Sequence, residues 1–316
     1  MTKAPADVKP GSITYEDVPY PFPVMYLPLT LYGQDVRMAY MDIPPSAAAN
    51  GKTVVLIHGK AFGCYYFQNV IEALTGAGYR VVAPDQIGWG KSPKPDIHYS
   101  FQLLAANTAA LLDHLGIGNV AVLGHSTGGM TATRFALTYP DRVTHLVLED
   151  PLGLADYRTG IPPQSEETLY DHEIGWTDPA VIRGYVKGYF VNPEPKVWEP
   201  LADVLVRVTL SPDYHRWARA AALTFQMIYQ QPVRYEYHQI APPVLLVVGA
   251  EDHTVPLGQY APPAEAARLG DFTALSAAAA RDLPRATRVV IPECGHIPHL
   301  EHPRQFLAEL LPFLAS

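Results

Sequence analysis

The chain has 316 residues, of which 48% are hydrophobic and 17% charged, and its formal net charge is -8 at pH 7. This composition supports a large buried core and excludes wholesale disorder. The negative charge argues against nonspecific nucleic-acid binding, which depends on Lys and Arg, and no apolar run approaches the roughly 20 residues that span a bilayer.

The two cysteines, Cys64 and Cys294, are not part of a Cys-x-x-Cys motif. Neither a zinc site nor a redox motif is therefore indicated, and we expect two free thiols. The first residues are polar and contain proline, unlike a signal peptide. We expect a cytoplasmic protein, or a periplasmic or secreted one if a signal peptide has been removed.

The beginning of the chain predicts an irregular arm and then a hairpin. Residues 1–23 contain five prolines, which disfavour regular structure. Two strand-like stretches, 24–31 and 35–43, flank Tyr32-Gly33-Gln34. A glycine-containing connection between two such stretches is typical of a hairpin.

Strands and helices then alternate along the chain. Short apolar, β-branched runs predict buried strands, and helical periodicity predicts helices between them. The strands are expected at 53–57, 79–83, 120–123 and 143–148, and the helices at 67–77, 101–115 and 130–139. This alternation indicates an α/β fold with a mostly parallel, doubly wound sheet, in which ligands bind at the carboxyl ends of the strands.

The alternation stops between residues 151 and 240, after the sixth predicted strand. This stretch is rich in aromatic residues and contains helical pieces but no convincing buried strand. We interpret it as a helical cap over the carboxyl ends of the strands. The sheet resumes at 244–248 and 287–291, with helices near 274–283 and 305–314. The predicted organisation is a core over 1–150 and 241–316, with a cap over 151–240.

A candidate nucleophile lies in Gly124-His125-Ser126-Thr127-Gly128-Gly129. This Gly-x-Ser-x-Gly sequence follows a predicted strand and precedes a predicted helix, the context of a nucleophile elbow. The tight turn lifts the Ser126 hydroxyl clear of the sheet, and a Cβ at either flanking glycine would collide with neighbouring chain.

A serine hydroxyl needs a base, and the base needs an acid that orients it. Asp252 and His296 follow the last two predicted strands and supply both, in the chain order nucleophile, acid, base. The competing acids are Asp150 and Glu251. Asp252 is favoured because its position in Gly-x-x-Asp is the commoner one.

The competing bases are His253, His299 and His302. His296 is favoured because it directly follows Gly295 at the end of a strand, on a loop that can turn it toward Ser126. His296, His299 and His302 also spell His-x-x-His-x-x-His, but no fourth ligand lies at a suitable spacing. We therefore expect no metal.

An acyl-transfer site also needs two backbone N–H donors for the oxyanion. Thr127 follows the nucleophile, and Lys60 lies in the loop after the first buried strand, so their amides are the candidates. The Lys60 side chain is expected to be solvated. The competing hypothesis places its charge at the mouth of the pocket, where it would favour anionic substrates.

The chain resembles serine hydrolases of the α/β-hydrolase superfamily from about residue 24 to residue 314. The matching motifs are His58-Gly59, Pro84-Asp85-x-x-Gly88-x-Gly90-x-Ser92, the sequence around Ser126, Gly249-x-x-Asp252 and Gly295-His296. The resemblance is strongest to capped bacterial hydrolases whose oxyanion loop reads His-Gly-Lys-x-Phe. It implies the α/β-hydrolase fold and a structural role for Asp85 and the glycines after it.

The resulting expectation is a carboxylic-ester hydrolase for small to medium, mainly apolar molecules, acting without a cofactor. Phe62 and Trp89 are the predicted substrate contacts. Ser126 argues against haloalkane dehalogenase or epoxide hydrolase chemistry, which uses Asp at the elbow. A lactonase, amidase or C–C bond hydrolase with the same residues remains open, as does a non-catalytic ligand receptor. The sequence makes no prediction of the oligomeric state.

Overall fold

One eight-stranded sheet forms the centre of the computed structural model, which describes residues 9–316. Its strands are β1 (Val24–Leu31), β2 (Gln34–Ile43), β3 (Thr53–Ile57), β4 (Arg80–Pro84), β5 (Val120–His125), β6 (Val143–Glu149), β7 (Val244–Gly249) and β8 (Ala286–Ile291). Their order across the sheet is β1-β2-β4-β3-β5-β6-β7-β8. The pairs β1–β2 and β2–β4 are antiparallel and the others are parallel, which confirms the predicted mostly parallel α/β sheet.

Helices cover both faces of the sheet. They are α1 (Gln68–Gly76), α2 (Phe101–His114), α3 (Thr127–Thr138), α4 (Glu166–Ile174), α5 (Pro179–Lys187), α6 (Pro195–Thr209), α7 (Tyr214–Gln230), α8 (Pro263–Leu269), α9 (Phe272–Asp282), α10 (Pro298–Glu301) and α11 (Pro303–Ala315). On β3, Val55 and Ile57 join the apolar core beneath α2, α3 and α9. Val54 and Leu56 join the core beneath α1 and α11. Because successive strand residues point to opposite faces, a strand buried on both faces is apolar throughout.

The elements outside the sheet mostly follow the predicted pattern. The Ser100 side chain caps α2 by accepting the Leu103 N–H. The stretch between β7 and β8 contains two helices, α8 and α9, where one was expected, because the short α8 lies in a Pro- and Ala-rich segment with little periodicity. Both cysteines are free and buried, as expected. Within residues 9–316, none of the helices is both long and apolar enough to cross a membrane.

The segment between β6 and β7 is helical, as predicted from its helical pieces and its lack of a buried strand. It contains α4, α5, α6 and α7 and no strand among the described residues. Helix α4 packs against α7, and α5 packs against α6. The two pairs lie over the carboxyl ends of the parallel strands, where residues from all of these helices line one cavity.

The described part of the N-terminal arm, residues 9–23, has no helix or strand, as predicted, and residues 1–8 lie outside the described residues. Tyr15 is fully buried, and its hydroxyl donates a 2.6 Å hydrogen bond to the carbonyl of Ala61. The Gly11 N–H donates to the carbonyl of Arg207 in α6 at 2.7 Å. The arm therefore connects the loop after β3 to the helices over the sheet.

The turn between β5 and α3 is packed without space for side chains at its glycines. A Cβ on Gly124 would lie 2.6 Å from the carbonyl carbon of Gly128. A Cβ on Gly128 would lie 2.6 Å from the carbonyl oxygen of His58. Because these neighbours are backbone atoms, they cannot move aside as a flexible side chain would.

We expect Gly128→Ala to destabilise the protein by about 3 kcal/mol or more, because it overpacks backbone against backbone. Urea unfolding measures the change. Gly76→Ala is the matched control, since no atom lies within 4 Å of a Cβ at Gly76 and alanine is the better helix former. An unfolding midpoint for Gly128→Ala equal to that of the control would contradict the packing argument.

Candidate active site

Ser126 occupies the turn between β5 and α3 in a conformation that few side chains adopt. Its φ is 56° and its ψ is -123°. The Ser126 N–H donates to the carbonyl of Glu149 at 3.0 Å, which fixes the turn against β6. A Cβ on Gly59 would lie 3.1 Å from the Ser126 Cβ, so glycine at that position leaves room beside the hydroxyl.

The loops after β7 and β8 place Asp252 and His296 in a hydrogen-bonded line with Ser126. The Ser126 Oγ lies 2.9 Å from His296 Nε2, and His296 Nδ1 lies 2.7 Å from Asp252 Oδ2. All three side chains are buried. The structure therefore brings together the three residues that the sequence singled out, in a geometry that allows a proton to move from the hydroxyl to the imidazole.

Asp252 is held in its charged form. Burial raises the pKa of its carboxyl, but His296 and the hydrogen bond from the Thr254 N–H, at 2.9 Å, outweigh burial. The pKa of Asp252 therefore lies below its ordinary value. A buried carboxylate beside the imidazole can stabilise the imidazolium form.

Asp150, the competing acid, lies beside Asp252 but has a different environment. Its carboxyl oxygens accept the Gly249 N–H at 3.0 and 3.2 Å. Burial and the neighbouring charge of Asp252 raise the pKa of Asp150 well above its ordinary value. Two adjacent buried carboxyls cannot both ionise freely, so Asp150 is the neutral member of the pair.

The competing histidines bind other partners. His299 is fully buried, and its Nδ1 lies 2.8 Å from Glu149 Oε1. His302 Nε2 lies 2.9 Å from the carbonyl of Glu293. His253 Nδ1 lies 3.2 Å from the carbonyl of Gly270.

A chain of hydrogen bonds supports the loop that carries His296. The Tyr66 hydroxyl accepts the Gly59 N–H at 2.9 Å, so its own proton is free for His125 Nδ1, 2.8 Å away. His125 Nε2 then donates to the carbonyl of His296 at 2.7 Å. Burial and the neighbouring His296 and His299 lower the pKa of His125 well below its ordinary value, in agreement with a neutral ring. From the other side, the Tyr189 carbonyl accepts the His296 N–H at 2.7 Å.

The two residues whose amides are the candidate oxyanion donors, Lys60 and Thr127, both line the cavity that also contains Ser126. Within residues 9–316, neither N–H donates a hydrogen bond to the protein. Thr127 is the first residue of α3, where an N–H has no intrahelical partner. The adjacent Ala61 has a positive φ of 70°, and the Tyr15 hydroxyl binds its carbonyl.

The expectation of a solvated Lys60 side chain is wrong. Its ammonium lies 3.4 Å from Glu173 Oε2, and the two side chains are only 15% and 6% exposed. The ammonium also lies over the ring of Phe225, 3.9 Å from the ring centroid. Glu173 is on α4, so the pair joins the loop after β3 to the helices over the sheet.

The cavity above Ser126 has a volume of about 430 Å³ and is mainly apolar. Its aromatic wall consists of Phe62, Trp176, Tyr185, Tyr189, Tyr214, Trp217 and Phe225. Phe62 therefore lies where the sequence placed it. Trp89, the other predicted substrate contact, does not line the cavity: it is buried behind Trp217, with 5.3 Å between the ring centroids.

Sequence reasoning did not find Tyr15, Tyr66 and Glu173. Tyr15 binds the Ala61 carbonyl, 46 residues away in sequence, and Tyr66 binds the His125 ring, 59 residues away, and no local pattern reveals such contacts. Glu173 lies in a helix with many other acidic residues around it, and only its contact with Lys60 distinguishes it.

Comparison with known proteins identifies the family. A sequence model described as the Alpha/beta hydrolase family matches residues 54–310. The chain belongs to the alpha/beta hydrolase family.

This hydrolase is similar to proteins of several activities. A crystal structure of a probable hydrolytic enzyme from Pseudomonas aeruginosa PAO1 superposes with a TM-score of 0.94 at 39% identity, covering 98% of this chain and 99% of that one. A 2-hydroxy-6-oxononadienedioate/2-hydroxy-6-oxononatrienedioate hydrolase from Burkholderia vietnamiensis (strain G4 / LMG 22486) is 28% identical over 287 residues, 89% of this chain and 92% of its own. A thermophilic esterase from Thermogutta terrifontis, with a TM-score of 0.68 at 24% identity over 92% of this chain and 98% of its own, shares the fold.

The two buried carboxyls of this hydrolase can be distinguished by amide substitution. We expect Asp252→Asn to lower kcat of ester hydrolysis about 10,000-fold, because the amide cannot stabilise the imidazolium. Asp150→Asn resembles the neutral acid in shape and hydrogen bonding, so we expect a change of less than about 10-fold. Steady-state kinetics of both variants measures this, and the reverse order would assign the acid role to Asp150.

Asp150 also predicts a pH dependence of stability. Because its folded pKa is raised, its contribution is complete below the unfolded pKa of about 4 and is lost as pH rises through the folded pKa. We expect the stability of Asp150→Asn, relative to wild type, to increase from about pH 4 to about pH 7, by at most about 1.4 kcal/mol per pH unit. Urea unfolding measures this, with Asp141→Asn as a control that removes an exposed carboxyl. A constant difference across this range contradicts a neutral Asp150.

Proposed function

We propose that this protein hydrolyses carboxylic esters through an acyl-enzyme on Ser126, with His296 as the base and Asp252 as its acid partner. The hydrogen-bonded line from Ser126 Oγ through His296 to Asp252, at 2.9 and 2.7 Å, is the observation that carries the proposal. Ser126 presents an oxygen nucleophile whose proton has an acceptor within reach. A receptor would not need this arrangement.

In the proposed reaction, His296 takes the Ser126 proton as Oγ attacks the ester carbonyl. The negative charge on the carbonyl oxygen is stabilised by the N–H groups of Thr127 and Lys60, which have no protein partner within residues 9–316. The imidazolium, stabilised by Asp252, then gives its proton to the leaving alcohol. A water molecule deprotonated by His296 attacks the acyl-enzyme and releases the acid.

We further propose that residues 151–240 act as a cap that selects the substrate. The segment between β6 and β7 supplies every residue of the aromatic wall of the cavity except Phe62. The cap also holds the base, because the Tyr189 carbonyl accepts the N–H of His296. An apolar cavity of this size fits a small or medium molecule. The proposal needs neither a cofactor nor a metal.

Hydrolysis of a C–C bond is the second candidate. The similarity to the Burkholderia vietnamiensis hydrolase, over 89% of this chain, favours it. The same serine, base and oxyanion donors serve such chemistry, so the two candidates differ in the substrate and not in the residues. Parallel assays with simple esters and with a 2-hydroxy-6-oxo-dienoate distinguish them by the ratio of kcat/KM values.

The nucleophile is tested by Ser126→Ala. We expect this variant to lose p-nitrophenyl acetate and butyrate hydrolysis by about 1,000-fold or more, because no oxygen remains to form the acyl-enzyme. It should also lose labelling by a fluorophosphonate probe. Ser46→Ala, which removes an exposed hydroxyl, is the matched control and should keep both properties.

Two results would contradict the proposal in different ways. Turnover or labelling retained in folded Ser126→Ala would show that Ser126 is not the nucleophile. Wild-type protein that is labelled at Ser126 but hydrolyses only the dienoate would replace the ester reaction with C–C cleavage. Circular dichroism of each variant confirms that it is folded.

A further inference from the structure

Apart from His296 and Asp252, the described wall of the cavity contains a largely buried pair of opposite charges, Lys60 and Glu173. The surrounding surface is aromatic: the Lys60 ammonium lies over Phe225, with Trp89 and Trp217 within 6 Å, at 5.4 and 5.9 Å to their ring centroids. Removing two charges from water is costly unless their hydrogen-bonding capacity is satisfied. A stability role alone gives no reason to place such a pair on the surface of a cavity.

The pair retains unused hydrogen-bonding capacity on both members. An ammonium has three N–H donors, and within residues 9–316 the Lys60 ammonium makes only one hydrogen bond, a long one of 3.4 Å to Glu173 Oε2. The Glu173 carboxylate accepts no other hydrogen bond from the described residues. A purely apolar substrate would remove water from these groups without replacing its hydrogen bonds, and unsatisfied buried groups oppose binding.

The pair also lies close to the proposed reaction centre. The Lys60 amide is a proposed oxyanion donor, and its ammonium is one four-carbon side chain away. Glu173 is fixed by α4, and its backbone carbonyl accepts the Tyr214 hydroxyl at 2.7 Å. A substrate whose carbonyl contacts the amide would therefore pass its neighbouring carbons near the pair.

The charge of the pair decides which group fits it. A carboxylate would be attracted by Lys60 and repelled by Glu173, and an ammonium would meet the opposite combination. An unpaired lysine would favour anionic substrates, but Glu173 cancels that preference by repelling them. A hydroxyl both accepts and donates a hydrogen bond, so it can accept from Lys60 and donate to Glu173 at once.

We propose that Lys60 and Glu173 form a polar subsite that selects esters with a neutral hydroxyl on the acyl chain. This proposal rests on the proposed function, since the subsite binds the same substrate that Ser126 attacks. It makes the substrate class hydroxy esters in place of simple apolar ones. The aromatic wall contacts the remaining carbons.

Pairs of methyl esters of equal shape test the subsite. Methyl 3-hydroxybutanoate is compared with methyl 3-methylbutanoate, and methyl 6-hydroxyhexanoate with methyl heptanoate, in a pH-stat assay. We expect kcat/KM to be about 10-fold or more higher for at least one hydroxy ester than for its apolar partner. Monomethyl adipate and methyl 6-aminohexanoate, carrying a negative and a positive charge, should be poorer than methyl 6-hydroxyhexanoate.

Substitutions then assign the preference to the pair. In the double variant with Lys60→Met and Glu173→Leu, the hydroxy preference should fall to about one, because both hydrogen-bonding groups are gone. Glu173→Gln leaves Lys60 without its counter-charge and should shift the preference toward monomethyl adipate. Arg183→Met, which breaks an ion pair with Asp203 away from the cavity lining, is the matched control and should keep the wild-type ratio.

The results separate this proposal from the proposed function. If wild-type protein hydrolyses neither these methyl esters nor p-nitrophenyl butyrate, the proposed ester reaction itself is wrong. If it hydrolyses them without preferring a hydroxyl, or prefers monomethyl adipate, the subsite is wrong and the ester reaction stands. A preference that survives in the folded double variant also overturns the subsite.

Discussion

The backbone of Ser126 turns sharply from β5 into α3 at a positive φ, and the position of every other group in the site is set relative to this turn. Such a conformation costs on the order of 1–3 kcal/mol and persists only where the surroundings enforce it. Here the enforcement is steric. Gly124 and Gly128 allow strand, turn and helix to approach more closely than any side chain permits, and the Ser126 N–H is bound to β6. The hydroxyl is thereby presented at the carboxyl edge of the sheet.

Beneath this turn, polar groups are buried where apolar ones would be expected, and several of them are hydrogen-bonded to one another. The chain from Tyr66 through His125 reaches the backbone of His296, and the neutral Asp150 lies against the charged Asp252. Buried hydrogen-bonded networks of this kind fix geometry, because breaking one member leaves another unsatisfied. His296 is therefore held by His125 from the core and by the carbonyl of Tyr189 from the helical segment, and Asp252 lies against the neutral Asp150.

The helices between β6 and β7 line the cavity above Ser126. They surround the cavity with aromatic rings and place Glu173 opposite Lys60, so a charge that would have favoured anions is compensated. The N-terminal arm adds a second connection between these helices and the loop after β3, through Gly11 and Tyr15. The two roles proposed for Lys60 use different groups of one residue, the amide for the oxyanion and the ammonium for the substrate.

The strands and most helices could be predicted because each follows from local periodicity and from the turn residues at its ends. The candidates Ser126, Asp252 and His296 could be predicted because each ends a strand, and parallel strands bring their carboxyl ends to one edge. The tertiary structure decided the rest. The position in Gly-x-x-Asp favours Asp252 over Asp150, but only spatial contact gives their charge states, since ionisation depends on neighbours that are distant in sequence.

The same reason explains why the predicted positions of two side chains, Trp89 and Lys60, were wrong. Trp89 and Phe62 are aromatic residues in similar strand-end loops, but Trp89 packs behind Trp217 and only Phe62 reaches the cavity. The Lys60 side chain is buried and not solvated because it pairs with Glu173. Glu173 lies in α4, more than 100 residues further along the chain. The sequence by itself determined the fold and the residue types at the reactive edge. The charge state and the accessibility of each group were decided by long-range packing, because both are properties of the surroundings and not of the residue.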